Sequence, residues 1–220
     1  MIVIVGIPAW RAAEPAGPAG RACEIALEAA GRGRRVELVG RAGDDQAGDA
    51  LLLALSRDGI GHVALLRDPA QPTPVLAPTP PDAESPLDAA DEGVNADQGP
   101  AASAPPRLEP ADVSLGLQYL TAFDVLVLAD DAPPAVRPVA VDAAAFAGAR
   151  LVVLLPAGDA DAAGLPDVAT VLAAPDGPDD GAFGRLAGAY AAGLDTGLEP
   201  GAAFAAAVAE VGWETVAPPA

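Results

Sequence analysis

The chain has 220 residues, 51% of them apolar, and carries 31 acidic against 12 basic side chains, a formal net charge of −19. A surface this acidic repels phosphate backbones, so nucleic acid is not an expected partner. The single cysteine, Cys23, excludes an intrachain disulfide and fits a cytoplasmic protein, and we find neither a signal peptide nor an apolar run near the ~20 residues of a membrane span.

The first part of the chain contains strand and helix patterns that predict a parallel α/β sheet. Ile2–Val5 is a continuous β-branched run of the kind that forms a strand buried on both faces. The proline-rich stretch Pro8–Gly20 is predicted as a loop, and Arg21–Ala30, whose apolar side chains share one face, as the first helix. Val36–Val39 is then a buried strand, and the glycines and aspartates of Gly40–Gly48 predict a tight turn.

The turn leads into an amphipathic helix, followed by weaker patterns. Leucine and alanine recur at helical spacing over Ala50–Leu55, and Gly59 suits a left-handed helix end. Val63–Leu66 predicts a short strand and Thr73–Ala77 an edge strand, since proline is tolerated at sheet edges. Residues 82–106 are acidic and rich in proline, and we predict a mobile loop there because they hold few large apolar side chains.

The second half of the chain repeats the alternation of strands and helices. Predicted helices are Asp112–Leu120, Pro138–Gly148, Ala182–Gly193 and Ala202–Val211, and predicted strands are Asp124–Leu128, Arg150–Leu155, Val168–Leu172 and Trp213–Val216. Strands that alternate with helices form a parallel sheet covered on both faces. We therefore predict one α/β domain, residues 1–220, folded as a three-layer αβα sandwich with a mostly parallel sheet.

Several of these segments resemble the ribokinase-like sugar kinases, often called the PfkB family. The strongest motif is residues 43–48 (GDDQAG) with the leucine-rich helix that follows. Asp124–Leu128 followed by Asp131, and the segment Gly93–Asn95, are similar to two strand ends of the family. The resemblance spans most of the chain and implies a ribokinase-like fold.

Proteins of this family phosphorylate a sugar or a similar hydroxyl compound, so the resemblance implies ATP and Mg²⁺ as cofactors if the protein is active. In the family an aspartate acts as the base, and the glycine-rich N-terminus of a helix binds the phosphates. By motif position, the residues that this implies are Asp180 as the catalytic base; Gly20, Arg21, Glu24, Asn95 and Asp131 as substrate-binding residues; and Asp179, Gly181 and Ala182 as nucleotide-binding residues.

The chain departs from the family motifs at the catalytic base, at the phosphate-binding turn and at a substrate-binding position. The family has glycine, alanine, glycine and aspartate before an Ala-Phe helix, whereas residues 178–181 here are PDDG, so glycine occupies the register of the base. Adjacent carboxylates at such a turn repel phosphate. Glu24 replaces the family's asparagine. The chain is also short, which predicts a lid that is reduced or absent after Gly6 and a loss of nucleotide-binding strands between Leu172 and Ala182.

Three functional hypotheses are consistent with these patterns. The first, which we favour, is a degenerate sugar-kinase homologue without phosphotransfer activity that keeps a ligand-binding or regulatory role, with a sugar-like or nucleoside-like small molecule as its ligand. The second is an active carbohydrate or nucleoside kinase that uses Asp180 as its base. The third is a homodimeric protein-interaction module, since a sheet that has lost strands exposes an edge or an apolar helix face.

Most of the candidate residues also have a purely structural interpretation. The motif at residues 43–48 can be a strand-to-helix turn whose aspartates cap the helix, and Asp179 and Asp180 can cap the next helix. Cys23 is interpreted as a small buried residue and not as a nucleophile. His62 has no second ligand at a suitable spacing, so no residue is proposed to bind a metal.

Overall fold

The computed structural model of the protein describes residues 1–76, 106–120, 122–158, 162, 164–175 and 181–212. In chain order its elements are β1 (Ile2–Val5), β2 (Ala9–Arg11), β3 (Gly17–Ala19), α1 (Arg21–Gly31), β4 (Val36–Gly43), α2 (Gln46–Arg57), β5 (Ile60–Asp68), β6 (Val75–Leu76), α3 (Pro110–Tyr119), β7 (Val125–Leu128), a 3₁₀ turn (Pro134–Val136), α4 (Arg137–Ala147), β8 (Arg150–Leu155), β9 (Thr170–Ala173), α5 (Ala182–Asp195) and α6 (Pro200–Val211).

A six-stranded parallel sheet forms the centre of the structure. Its strand order is β5-β4-β1-β7-β8-β9, and every neighbouring pair is parallel. The order runs outward in both directions from β1, whose four residues are all buried. A strand with neighbours on both sides and helices on both faces needs apolar side chains at every position, which is why Ile2–Val5 shows no polar alternation.

Two apolar layers flank this sheet. Ile2 and Ile4 of β1 point into a core formed with α1, α2 and α5, and α6 packs on the outside of α5. Val3 and Val5 point the other way, into a core formed with α3 and α4. The predicted three-layer αβα sandwich with a mostly parallel sheet is therefore confirmed.

The stretch predicted as the loop Pro8–Gly20 is instead the main part of a second, three-stranded sheet. β2 pairs antiparallel with β3 and parallel with β6, so the order is β3-β2-β6. The prediction failed because Pro18 and the glycines of this stretch resemble loop residues, whereas β3 is an edge strand, where proline is tolerated. Two short strands, β2 and β3, therefore follow Gly6, at the place in the chain where the resemblance implies lid strands.

The turn predicted over Gly40–Gly48 is shorter than expected. β4 continues to Gly43, because residues as far as Gly43 pair with Asp68 at the end of β5. α2 begins at Gln46, and Asp45 is its N-cap residue, with a side chain that accepts a hydrogen bond of 2.7 Å from the Gly48 N–H. The structural interpretation of this motif as a capped strand-to-helix turn is confirmed.

Asp45 joins this turn to the second sheet. Its carboxylate also accepts hydrogen bonds from the N–H and the hydroxyl of Thr73, both at 2.8 Å. Burial acts to raise the pKa of Asp45, but hydrogen bonds from Gly48 and Thr73, together with the charge of Arg67, outweigh it and hold the pKa below its ordinary value. This carboxylate therefore stabilises the fold above its ordinary pKa, and the contribution is lost as the pH falls through the lowered value.

Replacing Asp45 by alanine is expected to lower the free energy of unfolding by about 2 kcal/mol, since a helix cap and the hydrogen bonds to Thr73 are lost together. Urea denaturation at neutral pH measures the change. Asp44→Ala is the matched control. The exposed side chain of Asp44 accepts a hydrogen bond from Arg67, whereas the bonds from Gly48 and Thr73 go to Asp45. Equal effects of the two substitutions would contradict the assignment of the cap to Asp45.

Two predicted elements lie outside the described residues. These are the strand Trp213–Val216 and, apart from Pro106, the loop at residues 82–106, and both stay predictions. Of the elements that are described, the helix predicted over Ala182–Gly193 extends to Asp195. The strand predicted over Val168–Leu172 begins at Thr170 and ends at Ala173. None of the helices in the described ranges has the length and apolar character needed to cross a membrane.

Candidate functional site

A groove of about 300 Å³ lies beside the N-terminal ends of α1 and α5, next to the second sheet. Its walls come from three elements, with Arg11 and Pro18 from the second sheet, Glu24 and Glu28 from α1, and Gly181 and Arg185 from the start of α5. The chain passes from the carboxyl end of β1 through β2 and β3 to the start of α1, so the groove lies toward the carboxyl ends of the parallel strands. Open α/β sheets bind ligands at this edge, and the groove is therefore the candidate site.

The carboxylate of Glu24 lies directly against the first turn of α5. Gly181 is the N-cap residue of this helix, with φ of 85°. A Cβ atom placed on Gly181 would lie 3.3 Å from Glu24 Oε1, and one placed on Gly184 would overlap Glu24 Oε2. Glycine at both positions therefore makes room for a carboxylate at the positive end of the helix dipole, where an anion is stabilised.

Arg21 holds this carboxylate in place. Its Nη1 donates to Glu24 Oε2 at 2.8 Å, its Nε donates to Asp130 Oδ1 at 3.1 Å, and its guanidinium lies 5.0 Å from the ring centre of Phe183. The Arg21 side chain is only 14% exposed, so these pairs lie in a partly desolvated position where charge attraction is stronger than at the open surface. The arrangement ties α1, the end of β7 and the start of α5 together.

Asp131 does not line this groove. Its Oδ1 accepts a hydrogen bond of 3.1 Å from the Ile7 N–H, and the same oxygen lies 2.6 Å from the position that a Cβ on Gly6 would take. Burial, together with the charge of Asp130, raises the pKa of Asp131 to about 7, against the backbone hydrogen bonds of Ile7 and Ala22 and the charge of Arg21. The side chain thus joins the end of β1 to the start of α1.

The remaining predicted site residues divide between the described and undescribed parts of the chain. Gly20 caps α1 with φ of 84°, and Ala182 is the first residue of α5. Asn95, Asp179 and Asp180 lie outside the described residues, so their assignment stays a prediction.

Sequence reasoning missed Asp130 and the two arginines of the groove wall, Arg11 and Arg185. Asp130 follows β7, and its position after a buried strand is a signal that places it at the ligand-binding edge of the sheet. Arg11 belongs to a strand that was predicted as loop. Arg185 could not be recognised as a site residue from the sequence, because it lies one helical turn beyond the motif at residues 178–181.

Cys23 contributes no chemistry to the groove. The residue is fully buried on α1, and burial raises the pKa of its thiol to about 12, with a smaller contribution from the charges of Asp131 and Glu24. A thiol that stays protonated at neutral pH is a poor nucleophile. This agrees with the interpretation of Cys23 as a core residue.

Comparison with known proteins identifies the fold. No protein-family model matches the sequence, and no curated protein matches it either. Among solved structures, the chain is similar to Sa239, with a TM-score of 0.65 and 12% identity over 98% of this chain and 95% of that one. It is similar to aminoimidazole riboside kinase from Salmonella enterica, with a TM-score of 0.63 and 14% identity over 96% and 90% of the two chains.

A third similar structure is an Escherichia coli protein assigned as a ribokinase II, in complex with ATP and Mg²⁺. Its TM-score is 0.61, with 13% identity over 94% of this chain and 89% of that one. Identities this low establish the architecture and not the activity. The protein therefore has the ribokinase-like fold that is found in these carbohydrate and nucleoside kinases.

Proposed function

We propose that this protein binds a small sugar-like or nucleoside-like molecule on a ribokinase-like fold and does not transfer phosphate. The groove supports the binding part, because Arg11, Glu28 and Arg185 offer charged donors and acceptors that suit a ligand with several hydroxyl groups. The loss of phosphotransfer rests on one observation, the position of Glu24.

Glu24 occupies the place where a phosphate would have to sit. A helix N-terminus attracts an anion through its free N–H groups and its dipole. At α5 the carboxylate of Glu24 already lies against residues 181 and 184, and it pairs with Arg21 at 2.8 Å. A phosphate at this position would face a negative charge at close range, and displacing Glu24 would break the ion pair with Arg21.

ATP and Mg²⁺ were expected as cofactors if the protein is active. The residues at the start of α5 do not fit a triphosphate, because the carboxylate of Glu24 lies against residues 181 and 184. We therefore assign no step to ATP or to a metal ion. The ligand of the groove is proposed to be uncharged or positively charged at the end that approaches Glu24.

Phosphate transfer from ATP to a panel of sugars and nucleosides in the presence of Mg²⁺ tests this proposal. We expect no product above the protein-free blank. Calorimetric titration with the same compounds, without ATP, is expected to identify at least one that binds. Robust turnover that is abolished by Asp180→Asn would contradict the proposal and support the alternative of an active kinase with Asp180 as its base.

Replacing Glu24 by glutamine is expected to create an anion site at the start of α5. The amide has nearly the same size as the carboxylate but no charge, so the positive end of the helix dipole loses its counter-charge and Arg21 loses one of its acidic partners, although it keeps Asp130. Affinity for inorganic phosphate should rise by about tenfold, the equivalent of ~1.4 kcal/mol. Titration calorimetry with phosphate measures the change.

Glu28→Gln is the matched control for this experiment. Glu28 lines the same groove from the next turn of α1, but it pairs with Arg32 at 2.8 Å. The Glu28→Gln variant loses the same single negative charge as the Glu24→Gln variant. A general electrostatic effect would therefore raise the phosphate affinity of both variants equally. A Glu24 variant that binds phosphate no better than the parent protein would show that Glu24 does not occupy an anion position.

A further inference from the structure

A second groove, of about 530 Å³, lies between α3 and α4, on the face of the main sheet opposite α1 and α5. Its floor is apolar, since Leu117, Leu120 and Phe123 are each at most 9% exposed. Sites for small organic molecules are concave and mainly apolar, with volumes of about 300 to 1,000 Å³ and a few polar groups that orient the ligand. The groove between α3 and α4 has the size and the apolar floor of such a site.

The polar side chains of this groove include one charge. Ser114 and Gln118 of α3 offer a hydroxyl and an amide, and Asp142 of α4 offers a carboxylate. Among the described residues no arginine or histidine lines the groove, and the Asp142 carboxylate has neither a hydrogen bond nor an ion-pair partner. Arg137 of the same helix contributes instead to a small pocket at the carboxyl ends of β7 and β8. The groove therefore combines an apolar floor with one negative charge that the described residues do not compensate.

Phe146 places an aromatic ring beside this charge. It follows Asp142 by four residues on α4, and side chains at this spacing are neighbours on a helix. The Phe146 side chain lines the groove and is 96% exposed, so its ring is open to a ligand. The face of an aromatic ring attracts a cation, as a carboxylate does. The two side chains thus offer one cationic group two favourable contacts.

The charge of the groove distinguishes among possible occupants. A neutral apolar surface would cover the Asp142 carboxylate without pairing it, and removing an unpaired charge from water costs free energy. An anionic ligand would be repelled by Asp142 and by a chain of net charge −19. A small organic cation avoids both costs, because its charge pairs with the carboxylate while its apolar part leaves water.

We propose that the groove between α3 and α4 binds a small organic cation that carries an apolar group. The ammonium of this ligand contacts the Asp142 carboxylate and the Phe146 ring, and its apolar part packs on Leu117, Leu120 and Phe123. The groove shares no residue with the one beside Glu24. The proposed site is therefore a second ligand site, and it does not depend on the function proposed above.

Calorimetric titration of the intact chain with phenylbutylamine at neutral pH tests the proposal. Phenylbutanol has the same carbon skeleton without the charge, and phenylbutyrate carries a negative charge in its place. We expect the amine to bind about tenfold more tightly than the alcohol, and the carboxylate to bind more weakly than either. Equal affinities for the amine and the alcohol would overturn the proposal. So would amine binding that weakens as the protein is concentrated, since a second copy would then cover the groove.

Asp142→Asn should remove the preference for the amine over the alcohol, because the amide keeps the shape of the side chain and loses its charge. Asp58→Asn is the matched control. Its exposed carboxylate lies at the end of α2, in the opposite layer, so the chain loses the same charge away from the groove. If the two variants lower the amine affinity equally, the acidic chain as a whole attracts the amine, and the proposal is wrong.

Phe146→Leu separates the contribution of the ring from that of the charge. Leucine keeps an apolar side chain at the groove and lacks the aromatic face, so the affinity for the amine should fall by more than the affinity for the alcohol. Phe146 and Asp142 are both exposed, and their variants should leave the circular dichroism spectrum unchanged. Equal losses for the amine and the alcohol would contradict the placement of the ammonium against the Phe146 ring.

Discussion

Replacing Asp131 by asparagine is expected to increase the stability of the protein above pH 7 and to remove the fall in stability that this carboxyl causes between about pH 4 and 7. The carboxyl lies at the junction of β1, β7 and α1, where burial and the charge of Asp130 raise its pKa to about 7. Its ordinary pKa is 3.8. The folded state therefore favours the protonated, uncharged form of this group.

The direction of the effect follows from the order in which the two states lose the proton. Below the ordinary pKa both the folded and the unfolded chain are protonated, so the group contributes no penalty. As the pH rises, the unfolded chain ionises first, and the folded chain loses ~1.4 kcal/mol of stability per pH unit until its own carboxyl ionises near pH 7. The full penalty is about 4 kcal/mol and persists at higher pH.

Asparagine carries no charge, so it avoids this penalty and still offers an oxygen to the Ile7 N–H. Part of the gain is offset, because an amide has one acceptor oxygen where a carboxyl has two. We expect a net gain on the order of 2 kcal/mol at pH 8 and little change at pH 4. Urea denaturation at both pH values measures the difference in the free energy of unfolding.

Asp167→Asn is the control, because Asp167 lies exposed in a turn before β9. Substitution of this exposed side chain should change the free energy of unfolding by less than about 0.5 kcal/mol. If the asparagine variant of Asp131 follows the parent protein at both pH values, the carboxyl is solvated in the folded state, and the close packing against Gly6 and Ile7 does not exist in solution.

The parts of the fold that could be predicted from the sequence are those fixed by local burial. The strands at Ile2–Val5 and Arg150–Leu155 appear in the structure with the predicted bounds, because strands buried on both faces require uninterrupted apolar runs. Of the second sheet, only the edge strand β6 was predicted, within the segment Thr73–Ala77. β2 pairs with β6 through Trp10 and Val75, which lie far apart in the chain, and strands of two or three residues leave no periodic pattern.

In the candidate site too, local motifs could be predicted from the sequence, whereas contacts between segments far apart in the chain could not. Motif position brought Arg21, Glu24 and Gly181 to attention as candidates, and the structure places the three near one another. The contact of Glu24 with the first turn of α5 was not predictable, because it depends on how α1 packs against α5, and these two helices lie far apart in the sequence. The only local signal is the pair Gly181 and Gly184, whose missing side chains leave the space that the carboxylate fills. Glycine inside a helix has a cost, so it suggests close packing.

Replacing Gly43 by alanine is expected to have the largest effect on stability of the substitutions considered. A Cβ at this position would lie 2.7 Å from Gln71 O and 2.7 Å from the carbonyl carbon of Pro72, and it would overlap the Thr73 nitrogen. All three are backbone atoms, so no side-chain rotation can relieve the contact. The segment at residues 71–73 would have to move away from the end of β4.

That movement would also break the hydrogen bonds that hold the turn. The Gly43 N–H donates to the Thr73 hydroxyl at 3.0 Å, and Thr73 in turn donates to Asp45. Overpacking and the loss of this network act together, so we expect the free energy of unfolding to fall by about 3 to 5 kcal/mol. Urea denaturation of the variant at neutral pH measures the loss.

Gly17→Ala is the control for this substitution. Gly17 also lies in a strand, but a Cβ on it meets no atom within 4 Å, so the change should be neutral or stabilise the protein by less than ~1 kcal/mol. If the free energy of unfolding of the Gly43 variant falls by less than about 1 kcal/mol, residues 71–73 can move away from the added methyl group without cost. The glycine would then not be explained by packing, and a contribution of this motif to ligand binding would become the better explanation. A large loss means that the motif that most resembles the sugar kinases is retained because the fold requires it, whether or not the protein transfers phosphate.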